Sequence, residues 1–261
     1  MKIDIIVSAG EIQESMVEGR VAIVIDVLRA TTVMITALQN GANCIIPLLS
    51  PEEAFALKDK LGDMALLGGE RGALPIAGFD FDNSPFSYKR ELVENKSVVM
   101  TTSNGTRAIN GARSAKEVII ASFGNVPTVV RYCRSASEIV IICSGSGDAF
   151  TLEDCLCAGL LASELSKYKD AHLSDVAISL KELYSRLKNE VFEVASLGNH
   201  FNLLKNKGYV EDLRYCFEIG TCNVLPILDG EKIINRSSLL GDDLPPIGQT
   251  TWDEWSLNYQ I

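Results

Sequence analysis

Residues 21–40 read VAIVIDVLRATTVMITALQN, and the change of period inside them decides the fold. The run 21–25 is apolar without interruption and rich in Val and Ile, the pattern of a strand buried on both faces, whereas 30–40 has the texture of a helix. Between them Asp26 ends the strand and Arg29 follows three residues later. The same alternation extends in both directions. Strands are expected at 3–7, 44–47, 64–67, 97–100, 118–121 and 139–143, with helices at 51–61, 105–113 and 126–133 between them. This rhythm predicts an α/β fold whose sheet is mainly parallel and covered by helices.

After residue 142 the texture shifts to a glycine-rich loop, a long helix at 152–168 and polar, helix-forming sequence over 175–207. Ser174 and Asp175 can cap a helix whose apolar residues Val176, Ile178, Leu180, Leu183 and Leu187 recur at helical spacing. Near the end, 224–228 and 232–235 flank Asp229-Gly230, a hairpin that can return to complete a sheet. The expected organisation is two α/β lobes, 1–116 and 117–222, with the hairpin and tail of 223–261 packing back on them. Pro245 and Pro246 mark a surface arm, on which Trp252 and Trp255 either pin the tail down or meet another copy of the chain, leaving a homo-oligomer open. There is no low-complexity stretch and no repeat of solenoid period.

The 261 residues carry 24 Lys and Arg against 34 Asp and Glu, a net charge of -10. Such a balance argues against nucleic acid and anionic membranes as partners, and an anionic small substrate would need a local basic pocket. Charges interrupt each apolar run well short of the ~20 residues a membrane span requires. The N-terminal residues lack the basic and apolar regions of a secretory signal, so no membrane association and a cytoplasmic location are expected. The seven cysteines form no CxxC pair, are odd in number and sit in apolar segments, as reduced thiols do. With only two histidines, any metal is expected on carboxylate oxygens, which favours Mg2+.

In open α/β sheets ligands bind beyond the carboxyl ends of strands, where amides at helix starts converge on anions. The turn after 21–25 brings Asp26 and Arg29 to that edge, either as site residues or as a salt bridge closing the strand. In Gly68-Gly69-Glu70-Arg71-Gly72 the glycines would let backbone approach a ligand beside an acid and an arginine; an ordinary turn is the alternative. The run Thr101-Thr102-Ser103-Asn104-Gly105-Thr106-Arg107 offers hydroxyls and amides suited to phosphate or sulfonate oxygens, and Ser103 or Asn104 can also cap the following helix. Ser144-Gly145-Ser146-Gly147-Asp148 is a further anion cradle, preceding Glu153 and Asp154. These two acids suit a metal or simply the helix dipole. Phe150 stands where a dinucleotide GxGxxG would need its third glycine, no cysteine has an arginine six positions later, and no Walker A lysine loop occurs. Gly78-Phe79-Asp80-Phe81-Asp82 imitates an aspartyl-phosphate motif, with Asp80 as nucleophile, but follows no buried strand.

Taken together, IDVLRATT (25–32), GGERG (68–72), GFDFDNSP (78–85), TTSNGTRA (101–108) and SFGN (122–125) resemble the 2-phosphosulfolactate phosphatase family, in the family's order. The GSGD turn and LEDCLCAG (152–159) carry the likeness into the second half. The resemblance implies a two-lobed α/β fold and Mg2+-dependent removal of phosphate from 2-phospho-3-sulfolactate, a step toward coenzyme M in organisms that make it. Two departures are Asp82, where glycine is usual, and Ser103, where threonine is. A substrate bearing phosphate, carboxylate and sulfonate demands cations, for which Arg29, Arg71 and Arg107 are the candidates. Asp26 and Glu70, with Asp154, would then hold the metal. A carrier that binds such a metabolite without turnover is the competing reading.

Overall fold

The computed structural model describes residues 1–168 and 170–241. Its strands are β1 (Lys2–Ile6), β2 (Val21–Ile25), β3 (Cys44–Pro47), β4 (Ala65–Gly69), β5 (Ser97–Thr101), β6 (Glu117–Ala121), β7 (Glu138–Cys143), β8 (His172–Leu173), β9 (Pro226–Asp229) and β10 (Lys232–Asn235). They form one ten-stranded sheet in the order β4-β5-β3-β10-β9-β6-β2-β7-β1-β8. Two parallel blocks, β4-β5-β3 and β6-β2-β7-β1-β8, are joined by the antiparallel hairpin β9-β10. The α/β class and the returning hairpin are thus as the sequence predicts. The expected 116/117 division is not how the sheet divides: β1 and β2 pair with β7 and β6, in the block formed mostly by later strands. Local period sets element type, whereas pairing order is decided by long-range packing. The proline and tryptophan arm lies outside the described residues. No helix among the described residues is long and apolar enough to cross a membrane.

Alternation along the strands sends side chains to two faces. Ala22 and Val24 of β2, Ile45 of β3, Val98 and Met100 of β5, and Ile233 of β10 all pack on Val33, Met34 and Ala37 of the helix Ala30–Gln39 and Ile109 of Gly105–Gly111. The opposite residues, Ile23 and Ile25 with Ile119 and Ile141, pack on the helices Val126–Cys133 and Leu152–Leu165. Cys44, Leu67 and Val99 meet Ala54 of the helix Pro51–Leu61, whose start is fixed by a Ser50/Glu53 capping box.

In a flat sheet β5 and β2, five steps apart, would lie about 24 Å from each other. A methyl group built on Gly105, just past β5, would nevertheless sit 2.8 Å from Asp26 Oδ2, just past β2. The sheet therefore curls around the two inner helices and brings the carboxyl ends of its separated strands to one place.

Candidate active site

The turn after β2 is held from within. Thr31 Oγ1 accepts from the Asp26 amide at 2.9 Å and donates to the Asp26 carbonyl at 2.8 Å, while Asp26 Oδ1 accepts from the Ala30 amide at 3.1 Å. Asp26 Oδ2 has no hydrogen bond among the described residues. Asp154, three residues into the buried helix Leu152–Leu165, takes the Val27 amide on Oδ1 at 2.8 Å and the Gly145 amide on Oδ2 at 3.0 Å. It bolts the turns after β2 and β7 together. Arg29, almost wholly buried, is ion-paired to Asp212 at 2.5 Å, and its guanidinium lies 3.9 Å from the Tyr209 ring centre. Asp212 in turn accepts from Ser84 Oγ at 2.9 Å.

Across the cleft Glu70 follows β4 and accepts from three groups: the Ser103 amide at 2.7 Å, Ser103 Oγ at 3.2 Å and the Ala73 amide at 2.7 Å. Thr102 and Thr106 lock each other, hydroxyl to backbone in both directions. The hydroxyl loop expected to cradle anions thus gives most of its donors to its own backbone and to Glu70. Arg71 turns away, donating to the carbonyls of Glu70 and Leu49 and to Thr101 Oγ1. Arg107 is ion-paired with Asp148, at the solvent-facing rim.

Between these turns lies a cavity of about 340 Å³. Of the predicted residues it is lined by Asp26, Arg29, Glu70, Ser103, Asn104 and Arg107. Arg71, Thr102, Gly105, Thr106, Ser144, Gly145 and Asp154 do not reach its wall; they shape the turns behind it. Gly105 is required there for space, because a side chain would collide with Ala30 and Asp26. Two of the polar lining residues were given no role from sequence. Asn83 is buried with its side-chain oxygen unpartnered among the described residues, and His200, on the helix Asn199–Asn206, donates from Nδ1 to Glu153 Oε1 at 2.7 Å. Asp80 lies elsewhere, accepting from the Leu67 amide at 2.8 Å, which leaves the aspartyl-phosphate reading without a nucleophile in the cavity.

Charge is crowded here. Burial raises Asp26 to about 6, with Glu70 and Glu153 adding to it against His200 and the Ala30 amide, and burial also raises Asp154 well above the carboxylate range, with the charges of Asp26 and Glu153 adding to it. For His200 burial disfavours the charged ring, but its bond to Glu153 and the charges of Glu153, Asp26 and Asp154 outweigh that and raise it. Arg29 is ion-paired with Asp212 and His200 with Glu153, so the carboxylates Asp26 and Glu70 line the cavity without an ion-pair partner among the described residues. That donor set fits a hard divalent cation. Among the described residues no three His, Cys, Asp or Glu side chains converge to hold a metal alone. Asp154 is set back from that pair by its two amide bonds.

Carboxylates, a buried guanidinium and a rim arginine gathered at carboxyl strand ends define an α/β enzyme of small anions, and comparison with known proteins narrows this to a phosphoric monoester hydrolase. A family model described as 2-phosphosulpholactate phosphatase matches residues 6–231. A Clostridium perfringens (strain SM101) protein is 48% identical over 220 residues, 83% of this chain and 89% of its own. A Clostridium novyi protein is 40% identical over 234 residues, 89% of this chain and 99% of its own. A third, from Symbiobacterium thermophilum, is 41% identical over 219 residues, 83% and 94% of the two chains. All three are named "Probable 2-phosphosulfolactate phosphatase". This chain belongs to the 2-phosphosulfolactate phosphatase family.

Proposed function

We propose that the chain hydrolyses 2-phospho-3-sulfolactate to 3-sulfolactate and inorganic phosphate, with Mg2+ held by Asp26 and Glu70. The observation that carries this reading is the meeting of Asp26, Glu70, Arg29 and Arg107 on one cavity of about 340 Å³. The names of the relatives supply the substrate. Its phosphate, carboxylate and sulfonate match a site that combines guanidinium groups with a carboxylate-held cation.

When bound, the metal would supply charge neutralisation at phosphoryl oxygens and acidify a water. Glu70 is oriented for that task by Ser103 and Ala73, and Asp26 by the Ala30 amide. Arg29, pre-set by Asp212 and Tyr209, keeps further N–H donors for a substrate oxyanion without having to order a flexible side chain on binding. Arg107 can swing from Asp148 onto a second anionic group at the rim. Leu203 and Leu204 close one wall, lowering the local dielectric so that each charge contact is stronger. The seven buried, unpaired cysteines support a reducing compartment such as the cytoplasm.

The test is phosphate release from 2-phospho-3-sulfolactate and other phosphorylated 2-hydroxy acids, with magnesium or with chelator, in the parent and in Asp26→Asn and Glu70→Gln. Metal-dependent release lost in both variants is expected. Tight binding without turnover in calorimetry would instead favour a carrier, and release untouched by chelation would remove magnesium from the reading.

A further inference from the structure

We propose that His200 is the general acid that protonates the departing alkoxide, with Glu153 as its positioning residue; this rests on the hydrolase reading above. His200 lines the main cavity and also an adjoining one of about 580 Å³. Its Nδ1 is bound to Glu153 Oε1 at 2.7 Å, which leaves Nε2 without a protein partner among the described residues. Glu153 is 1% exposed, so its carboxylate has little water to compete for that bond. A buried carboxylate on one imidazole nitrogen fixes the ring's orientation and leaves the other nitrogen for proton transfer.

The other lining groups do not suit this task. Arg29 and Arg107 cannot release a proton. Glu70 has both oxygens engaged by Ser103 and Ala73, and Asp26 is read as a metal ligand. The reaction nevertheless needs a proton donor, because the leaving group is a strongly basic alkoxide.

In the proposed step the oxygen of water forms a bond to phosphorus as the ester P–O bond breaks, and the bond's electron pair goes to the alkoxide. The alkoxide takes the proton from His200 Nε2, turning imidazolium into neutral imidazole, while Glu153 remains ionised. Of the two protons of the attacking water, one stays on inorganic phosphate and the other is released, restoring the imidazolium through solvent. The sum is monoester plus water giving alcohol plus hydrogen phosphate. His200 itself lines the adjoining cavity, from which water can return that proton.

The experiment compares 2-phospholactate with 3,3,3-trifluoro-2-phospholactate, whose alkoxide is less basic but similar in shape, in the parent, His200→Gln and Glu153→Gln. His200→Gln should lower turnover of 2-phospholactate by roughly 100-fold or more, with a loss at least ~10-fold smaller on the trifluoro ester. Glu153→Gln should show the same discrimination in weaker form, a pattern that a merely structural role would not give. Equal losses on both esters, or none, would overturn the assignment while leaving the hydrolase intact. No phosphate release from any ester by the parent would instead overturn the hydrolase reading, and the pair's role with it. Should His200→Gln fold poorly, the parent alone decides: near-equal turnover of the two esters supports a protonated leaving group, and a large preference for the trifluoro ester overturns it.

Discussion

Asp26 has its ordinary value of 3.8 raised to about 6 by burial first, then by Glu70 and Glu153, against His200 and the Ala30 amide. An acid with a raised folded-state pKa holds its proton between those two values while the unfolded chain has lost it. Its contribution to stability therefore falls as pH rises from about 4 to about 6 and stays low above. Asp26→Asn keeps an acceptor for Ala30 and removes the charge. In chelator at pH 7 it should be more stable than the parent by about 1–3 kcal/mol, from ~1.4 kcal/mol per pKa unit, and the gain should vanish near pH 4. Denaturation at the two pH values checks both statements. Arg29 and Arg107 make a second contrast. Arg29→Lys keeps the charge but loses the pairing with Asp212 and the stacking on Tyr209, so kcat/KM should fall by about 2–3 kcal/mol. Arg107→Lys, at the exposed rim, should cost about 1 kcal/mol or less, and steady-state kinetics on both variants decide the order.

At the scale of elements, the starts of the helices Ala30–Gln39 and Gly105–Gly111 touch where Gly105 has no side chain. A methyl there would lie 2.6 Å from Ala30 Cβ and 2.8 Å from Asp26 Oδ2. Gly105→Ala must push the helix starts apart, at roughly 1–3 kcal/mol of stability. Displacing Asp26 by about 1 Å should also lower kcat by ~100-fold, and activity kept at parental level would show that the two starts can slide without moving the carboxylate. The helices and strands themselves were readable, because each announces itself through local period: 51–61 and 126–133 stand where expected, and the strands shift by a residue or two. The roles of side chains were less so. Ser103 reads as an anion ligand until the structure shows it holding Glu70, and Arg71 reads as a cation for substrate until its donors are found on carbonyls. Asp212 and His200 carry no motif. Their partners Arg29 and Glu153 are 183 and 47 residues away in sequence. The one available signal was the rarity of histidine itself.

For the whole molecule the decisive connection is the hairpin, whose ladder partners outside itself among the described residues are single residues on each side: Ile233 opposite Ile45, and Ile227 opposite Ile119. Through it β3 and β6 become members of one curled sheet, and the curl is what lets Glu70, after β4, share a cavity with Asp26, after β2. Which strands make up each parallel block was not legible in the sequence, since the strand period says nothing of which neighbour a strand will choose. Ile233 is fully buried against the inner helices and faces no solvent. Ile233→Ala should therefore lower global stability by roughly 2–5 kcal/mol, the usual range for an emptied isoleucine site. If the hairpin makes the two blocks one folding unit, urea unfolding followed by tyrosine fluorescence and by far-ultraviolet dichroism should shift together in a single transition. Should the variant unfold in two separated steps, with one block melting while the other stays native, the blocks would be independent bodies and the shared cavity would depend on their docking, not on a continuous sheet.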